Sequence, residues 1–139
     1  MAPDNNKAAL ERFGREVIVA GRDEGIWWHD ANTADAPSPI RKTAAPEVQA
    51  MTKRYNQLAK LPPEVQKIVR HMIIEAIDNS IHAMLMRLDD LGDQGAKLLV
   101  DGVDILEYAR HELHEYQLTE RGWFARFSKY GERGGPPVP

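Results

Sequence analysis

The sequence predicts an α+β fold that is mainly helical, with about three main helices around a long central helix and a small C-terminal β-hairpin or sheet. In three separate segments, apolar residues recur at spacings of three and four, which is the period of a helix. Further along, an Asp-Gly pair stands between two short apolar runs, which is the strongest local signal for a hairpin. The length of 139 residues predicts a single domain, residues 1–139.

The first helix is predicted from about Asn5 to Ala20. Leu10, Phe13 and Val17 recur there at spacings of three and four and therefore share one helical face. An asparagine at the start of this segment can cap its first turn. The apolar face predicts that this helix packs against the rest of the domain.

Two adjacent tryptophans, Trp27 and Trp28, follow the first helix. On a helix they would point about 100° apart, so we expect at least one of them to fill a groove or to be half exposed. Residues 29–45 then lose any periodicity and contain prolines, which predicts a surface loop. Trp27, Trp28 and His29 are therefore candidates for a binding surface beside this loop, because tryptophan is enriched at interface hot spots. Packing in the core is the more common fate of such residues and is kept as the other interpretation.

Two further helices are predicted, the first starting at Pro46 and running through about Lys60. Proline suits the first turn of a helix because its missing donor would be unpaired there. The second is the long helix, from about Pro63 to Leu91. Its apolar residues cover most of its circumference, which predicts a helix enclosed on nearly all sides. These residues are Ile68, Val69, Met72, Ile73, Ile74, Ile77, Ile81, Met84, Leu85 and Leu88.

The C-terminal third permits both strands and helices. Residues 97–107 fit a hairpin around Asp101-Gly102, and their second half also fits a helix. Residues 122–130 contain large aromatic side chains that favour a strand, although a helical stripe fits them as well. We favour a small two- or three-stranded sheet packed on the helices. Residues 132–139, rich in glycine and proline, are expected to form a flexible tail.

Three short motifs carry a resemblance to known proteins: Asp78-Asn79-Ser80-Ile81-His82, Val100-Asp101-Gly102-Val103, and the Gly-Trp segment of residues 122–130. Through them, roughly residues 62–131 resemble a family of small bacterial proteins of unknown function. In that family an Asp-x-x-x-His helix precedes a Gly-Trp strand segment. The resemblance implies a mixed fold of helices and strands, and it supplies no catalytic residue and no substrate. Residues 110–115 stand where a glycine-rich turn is usual in the family.

A polar stripe on the long helix is the most pointed chemical feature. His71, Glu75, Asp78 and His82 follow at spacings of four, three and four, so they share one helical face. Four such side chains could contribute to a metal site if a facing helix added ligands. We favour a simpler interpretation, in which they form solvent-facing i,i+4 pairs or a capping network. A third interpretation is that Asp78 and His82 form a structural pair that binds the backbone of a neighbouring segment.

Composition excludes several classes of function. The absence of cysteine excludes thiolate catalysis, disulfides and cysteine zinc sites, and it fits a reducing compartment. A net charge of −3 argues against non-specific nucleic-acid binding. The sequence has neither the apolar run of a signal peptide nor the roughly 20 apolar residues needed to span a bilayer, so no membrane association and a cytoplasmic location are expected.

The function that these observations favour is a non-enzymatic protein-binding module, of the immunity or adaptor type, because no nucleophile or catalytic motif is found. Trp27, Trp28, His29 and Trp123 are the interface candidates, and another protein is the expected partner. The alternative is a small helical metal-binding protein or metal-dependent enzyme that uses the stripe from His71 to His82. Assembly into a homo-oligomer is a further option, and no cofactor is predicted.

Overall fold

The computed structural model describes residues 4–117 and 122–136, and here the predicted α+β, mainly helical fold is confirmed. The helices are α1 (Asn5–Glu16), α2 (Glu24–Ala34), α3 (Pro46–Leu58), α4 (Pro63–Asp93), α5 (Ile105–Ala109) and α6 (Trp123–Phe127). A π-helical segment (Val17–Asp23) joins α1 to α2, and a 3-10 helix (Leu113–Gln117) follows α5. Strands β1 (Leu99–Val100) and β2 (Val103–Asp104) form the antiparallel sheet.

The π-helical segment makes α1 and α2 one continuous helical run, and it has a cause in the sequence. Leu10, Gly14, Ile18, Arg22 and Ile26 are all buried and lie four residues apart. In a regular helix each step of four turns about 40° past a full turn, so this set would soon leave the core side. The wider π turn offsets this drift. The chain therefore keeps one buried face through both helices.

The surface loop begins later than predicted. Helix α2 continues through Ala34, so the irregular segment covers residues 35–45 instead of 29–45. Local composition disfavours a helix here, but Ile26 and His29 are buried against the rest of the domain and hold the turns together. Hydrogen bonds from Asn56 and Gln49 of α3 tie the loop down, and Asn56 exchanges two of them with Ser38. The backbone amide of Ser38 donates to Oδ1 of Asn56 (2.7 Å), and Nδ2 of Asn56 donates to the Ser38 carbonyl (2.8 Å).

Helix α4 is the long central helix that the sequence predicts, but only one face is enclosed. Ile74, Ile81 and Leu85 are buried on that face, whereas Ile68 is 59% exposed and Met72 is 62% exposed on the opposite one. The prediction of a helix enclosed on nearly all sides is therefore wrong for the outer face. No helix within residues 4–117 and 122–136 combines the length and apolarity needed to cross a bilayer.

The predicted hairpin is confirmed around Asp101 and Gly102. Val100 pairs with Val103, and Leu99 pairs with Asp104. Asp101 (φ 51°) and Gly102 (φ 79°) both have positive φ, as a type I′ turn requires at its two central residues. Helix α5 follows at once, so the hairpin and the helical interpretation of residues 97–107 each describe one half of the segment.

Of the two alternatives left open for residues 122–130, the structure has the helical one, because Trp123–Phe127 form the short helix α6. The strand preference of aromatic residues reflects packing on a pleated surface, and no neighbouring strand offers such a surface here. Trp123 and Phe124 instead enter the main core cluster between α1, α4 and α5. That cluster contains Ala9, Leu10, Ile18, Ile81, Leu85, Ile105, Leu106, Ala109, Leu113, Trp123 and Phe124.

Part of the expected tail is held against the helices. Residues 132–134 belong to a turn in which Gly134 is buried beside Ile74. The Arg22 guanidinium donates to the Glu132 carbonyl (3.0 Å), and Arg70 donates to the Gly134 carbonyl (2.5 Å). The remaining residues of the predicted tail, 137–139, lie outside the described residues.

Candidate functional site

The exposed tryptophan pair on α2 is the most prominent surface feature among the sequence-predicted sites. Trp27 is 46% exposed and Trp28 is 53% exposed. Their rings meet edge to face, with centroids 5.4 Å apart and planes at 75°. In this geometry the edge of one ring meets a face of the other, and the remaining ring faces are available for other contacts. The two indoles thus form an apolar surface on a helix, and a helical backbone holds them in place.

Two contacts beneath the tryptophan pair anchor this part of α2. His29 is only 4% exposed, and its Nδ1 lies 3.3 Å from the Tyr55 hydroxyl on α3. The next residue, Asp30, accepts two hydrogen bonds from the Arg70 guanidinium of α4, at 2.7 Å and 3.0 Å. A bidentate arginine–carboxylate pair fixes orientation as well as distance. His29 therefore lies beneath the surface formed by Trp27 and Trp28 and supports it, but is not part of that surface.

A shallow apolar groove of about 400 Å3 runs between the π-helical segment and α4. It is lined by Gly21, Ile73, Ala76, Ile77, Ser80 and Ile81. The helices approach closely here because Gly25 has no side chain, and a methyl group at Gly25 would lie 3.0 Å from Cδ1 of Ile77. Trp28 comes three residues after Gly25 and is its neighbour on the helix surface. Trp28 is therefore one helical turn from the point where α2 contacts α4.

The environment of His29 lowers its pKa below the ordinary value of 6.5. Burial is the main cause because it disfavours the charged imidazolium; Asp30 opposes the shift, and Arg70 adds to it. Burial likewise raises the pKa of the Tyr55 hydroxyl, with a further contribution from Asp30. Both partners of this contact are therefore neutral near pH 7.

Acidification is expected to weaken the fold through His29. The unfolded chain takes up a proton on this residue at a higher pH than the folded chain, so the stabilisation is complete above pH 6.5 and is lost as the pH falls through the lowered folded pKa. Denaturant unfolding between pH 7.5 and 5 should give a smaller decline for His29→Gln than for the wild type. His71→Gln, at an exposed histidine, should retain the wild-type decline. Equal declines for all three proteins would contradict the role of His29.

Trp123 occupies a different environment from the other interface candidates. It is 1% exposed and lies in the main core cluster, stacked on Tyr116 with ring centroids 5.4 Å apart. Its Nε1 is buried and has no hydrogen-bond partner among the described residues. Trp123 also lines a cavity of about 780 Å3 together with Glu11 and Arg126. Of the four interface candidates, Trp27 and Trp28 are the two whose rings are open to solvent.

The structure separates the four members of the polar stripe. His71 and Glu75 form an exposed pair, with Nε2 and Oε1 3.6 Å apart. Asp78 instead turns to the buried Arg22, whose Nε donates to it at 2.6 Å. The His82 ring meets that of His114 edge to face, with centroids 5.6 Å apart. No group of three or more histidine, aspartate or glutamate side chains in residues 4–117 and 122–136 is arranged to hold a metal ion.

A buried polar network around Arg22 was missed by the sequence analysis. Arg22 is 0% exposed and donates to both carboxylate oxygens of Asp78, to the Ser128 hydroxyl (3.0 Å) and to the Gly131 carbonyl (2.6 Å). Its guanidinium also lies 4.2 Å from the centroid of the Phe124 ring.

The neighbouring acid of this network is Asp23, which is 4% exposed. It accepts hydrogen bonds from the Ser128 hydroxyl (2.5 Å) and from the Lys129 amide (2.8 Å). Asp23 directly follows Arg22, so two consecutive residues of the π-helical segment face inward. The network joins the π-helical segment, α4 and the C-terminal turn. Arg22 lies four residues from Ile18 and from Ile26, in line with the other buried residues of this helical run. That spacing was the one sequence signal that could have indicated the burial of Arg22.

Comparison of the chain with protein-family models, with curated proteins and with solved structures gave no significant match.

Proposed function

We propose that this protein is a non-enzymatic, cytoplasmic protein-binding module of the immunity or adaptor type, and that its partner binds the Trp27–Trp28 surface of α2. The observation that carries the proposal is the exposure of two adjacent indole rings on a helix that is anchored from below. Burying a tryptophan side chain removes a large apolar area from water, which is why tryptophan dominates many interfaces.

Rigid support under the surface favours binding. The Asp30–Arg70 pair and the His29–Tyr55 contact hold α2 against α4 and α3. A preorganised surface loses little conformational freedom when a partner binds, so more of the contact energy contributes to affinity.

The charges near the tryptophans indicate the chemistry of the partner. Glu24 is exposed one turn before Trp27 and Trp28, and Asp35 is exposed at the end of the same helix. Complementary charges around an apolar contact raise the rate of association and select the partner. We therefore expect a protein surface with an apolar pocket for an indole ring, bordered by lysine or arginine side chains.

Substitution of both tryptophans tests the proposal. The tagged wild-type chain, exposed to lysate of its native cells, should retain a stoichiometric protein partner, and Trp27→Ala/Trp28→Ala should lose it. For a purified pair we expect Kd to rise at least about 30-fold, since truncation of a hot-spot residue costs about 2 kcal/mol or more. Because both rings are half exposed, the double variant should keep its fold, which circular dichroism and thermal unfolding can verify.

Leu99→Ala is the matched control for this experiment. Leu99 is 64% exposed on the hairpin and is as apolar as the surface under test, so its removal should leave partner binding unchanged. Retention of the partner by the double tryptophan variant would contradict the proposed site. Absence of any stoichiometric partner in native lysate would contradict the binding function itself.

A further inference from the structure

The outer face of α4 bears an apolar stripe that no described element covers. Its apolar members are Val65, Ile68, Met72, Ala76, Ala83 and Met86, and all of them are exposed. They fall on the side of the helix opposite Ile74, Ile81 and Leu85, which face the core. From Val65 to Met86 the stripe extends over about 32 Å at 1.5 Å per residue. We call these six residues, with Asn79 at their centre, the outer stripe.

The spacing of the outer stripe is that of a helix-pairing surface. Val65, Met72, Asn79 and Met86 are separated by seven residues each, and the remaining members fall three or four residues from them. A seven-residue repeat keeps one seam facing a partner helix along its whole length. The small side chains of Ala76 and Ala83 permit a second helix to approach closely. A patch of this kind on a protein surface indicates an interaction site.

Asn79 indicates which kind of helix pairs with the outer stripe. It is exposed at the middle of the stripe, between the two alanines. A carboxamide has both donors and an acceptor, so two copies of Asn79 that meet across a two-fold axis can satisfy each other. A single asparagine among apolar seam positions is a known device for setting the register and number of paired helices. The stripe is thus self-complementary.

We propose that two copies of this chain form a parallel, in-register dimer through the outer stripe of α4. In this arrangement each apolar member meets its own counterpart, and Asn79 meets Asn79. In the parallel pair Asp90 meets its own counterpart only at the end of the seam, where it is 63% exposed and lies 3.9 Å from Arg87 of its own helix. An antiparallel pair centred on Asn79 would instead place Asp90 opposite Ile68, which sets a carboxylate against an apolar side chain. The interface would bury on the order of 1,000 Å2 in total, near the lower limit for specific association. We therefore expect a reversible dimer with Kd on the order of 10 µM.

Sedimentation of the full-length chain tests the dimer. Between about 1 and 300 µM, the wild type should shift from monomer to dimer, and Met72→Glu should weaken association at least about 100-fold because two carboxylates would then meet in the seam. Leu99→Glu is the matched control, since it places the same charge at an equally exposed apolar residue away from the stripe, and it should dimerise like the wild type. A wild type that stays monomeric, or equal weakening by both substitutions, would overturn the proposal.

Disulfide trapping tests the arrangement, and the chain has no cysteine of its own to interfere. In the parallel pair, Met72→Cys should form a covalent dimer by itself under mild oxidation, whereas Leu99→Cys should not. Covalent dimers that form only when Met72→Cys is mixed with Met86→Cys would refute the parallel arrangement. Thermal unfolding of each variant establishes that it is folded before association is measured, so that loss of the dimer cannot be confused with loss of the fold.

Discussion

Replacing Arg22 by methionine is expected to lower the free energy of unfolding by about 3–5 kcal/mol, the cost of removing one partner from a buried ion pair. Methionine fills a similar volume but donates no hydrogen bond, so the Asp78 carboxylate and the carbonyls of Gly131 and Glu132 would lose their donor. Buried polar groups without partners lose their hydration and gain nothing in return.

Arg12→Met is the control for this measurement. Arg12 also pairs with an aspartate, Asp101, but the two side chains are 61% and 54% exposed. Water screens an exposed pair, so its loss should cost at most about 1 kcal/mol. Both variants can be compared by urea denaturation at pH 7. Equal losses for Arg12→Met and Arg22→Met would show that the Arg22 network contributes no more than a surface ion pair.

A second variant keeps the test conclusive if Arg22→Met fails to fold. Asp78→Asn retains an oxygen acceptor for Arg22 but removes the charge, so we expect a smaller loss of about 1–3 kcal/mol. Because Asp78 also belongs to the polar stripe, this variant bears on the metal-binding alternative. If that alternative held, Asp78→Asn and His71→Gln would both remove bound metal detected by elemental analysis. Under the Arg22 interpretation, Asp78→Asn alters stability and His71→Gln leaves it unchanged.

Local chemistry explains which elements could be predicted from the sequence. The hairpin depends on two adjacent residues with positive φ, and Asp101-Gly102 is a pair that tolerates this conformation. Helix α4 likewise has a proline at its start and a sustained apolar period. The sequence left strand and helix open at residues 122–130, because aromatic side chains that favour a strand pack equally well in a helix that the core covers.

In the candidate site, too, features set by the local sequence could be predicted and features set by tertiary contacts could not. That adjacent tryptophans cannot share one narrow helical face follows from helix geometry alone, and the exposure of Trp27 and Trp28 agrees with it. By contrast, the Arg22–Asp78 pair joins residues 56 positions apart, and nothing in either neighbourhood marks them as partners. Tertiary contacts also decide that α4 leaves its outer face open, because the number of elements available to cover a helix is not encoded in that helix.

Gly14 packs closely on Trp123, and we expect a substitution at Gly14 to have the second large effect on the free energy of unfolding. A methyl group at Gly14 would overlap the indole ring, which is 1% exposed and held by Tyr116 and Phe13. Replacing glycine by alanine inside a helix ordinarily stabilises by about 0.5–1 kcal/mol. At Gly14 we expect the opposite sign, a loss of about 1–3 kcal/mol, because the core must shift to accommodate the methyl group.

Gly21→Ala is the natural comparison, since Gly21 lies in the same helical run and a methyl group there would meet no atom within 4 Å. It should be neutral or raise the free energy of unfolding by up to about 1 kcal/mol. Trp123→Leu alone should cost about 3 kcal/mol, but it empties space above Gly14, so the added cost of Gly14→Ala should fall by at least about 1 kcal/mol in that background. Urea denaturation of the four proteins in this cycle measures the coupling. Additive losses would mean that the indole and Gly14 do not constrain each other, and the packing of α6 on α1 would then need another explanation.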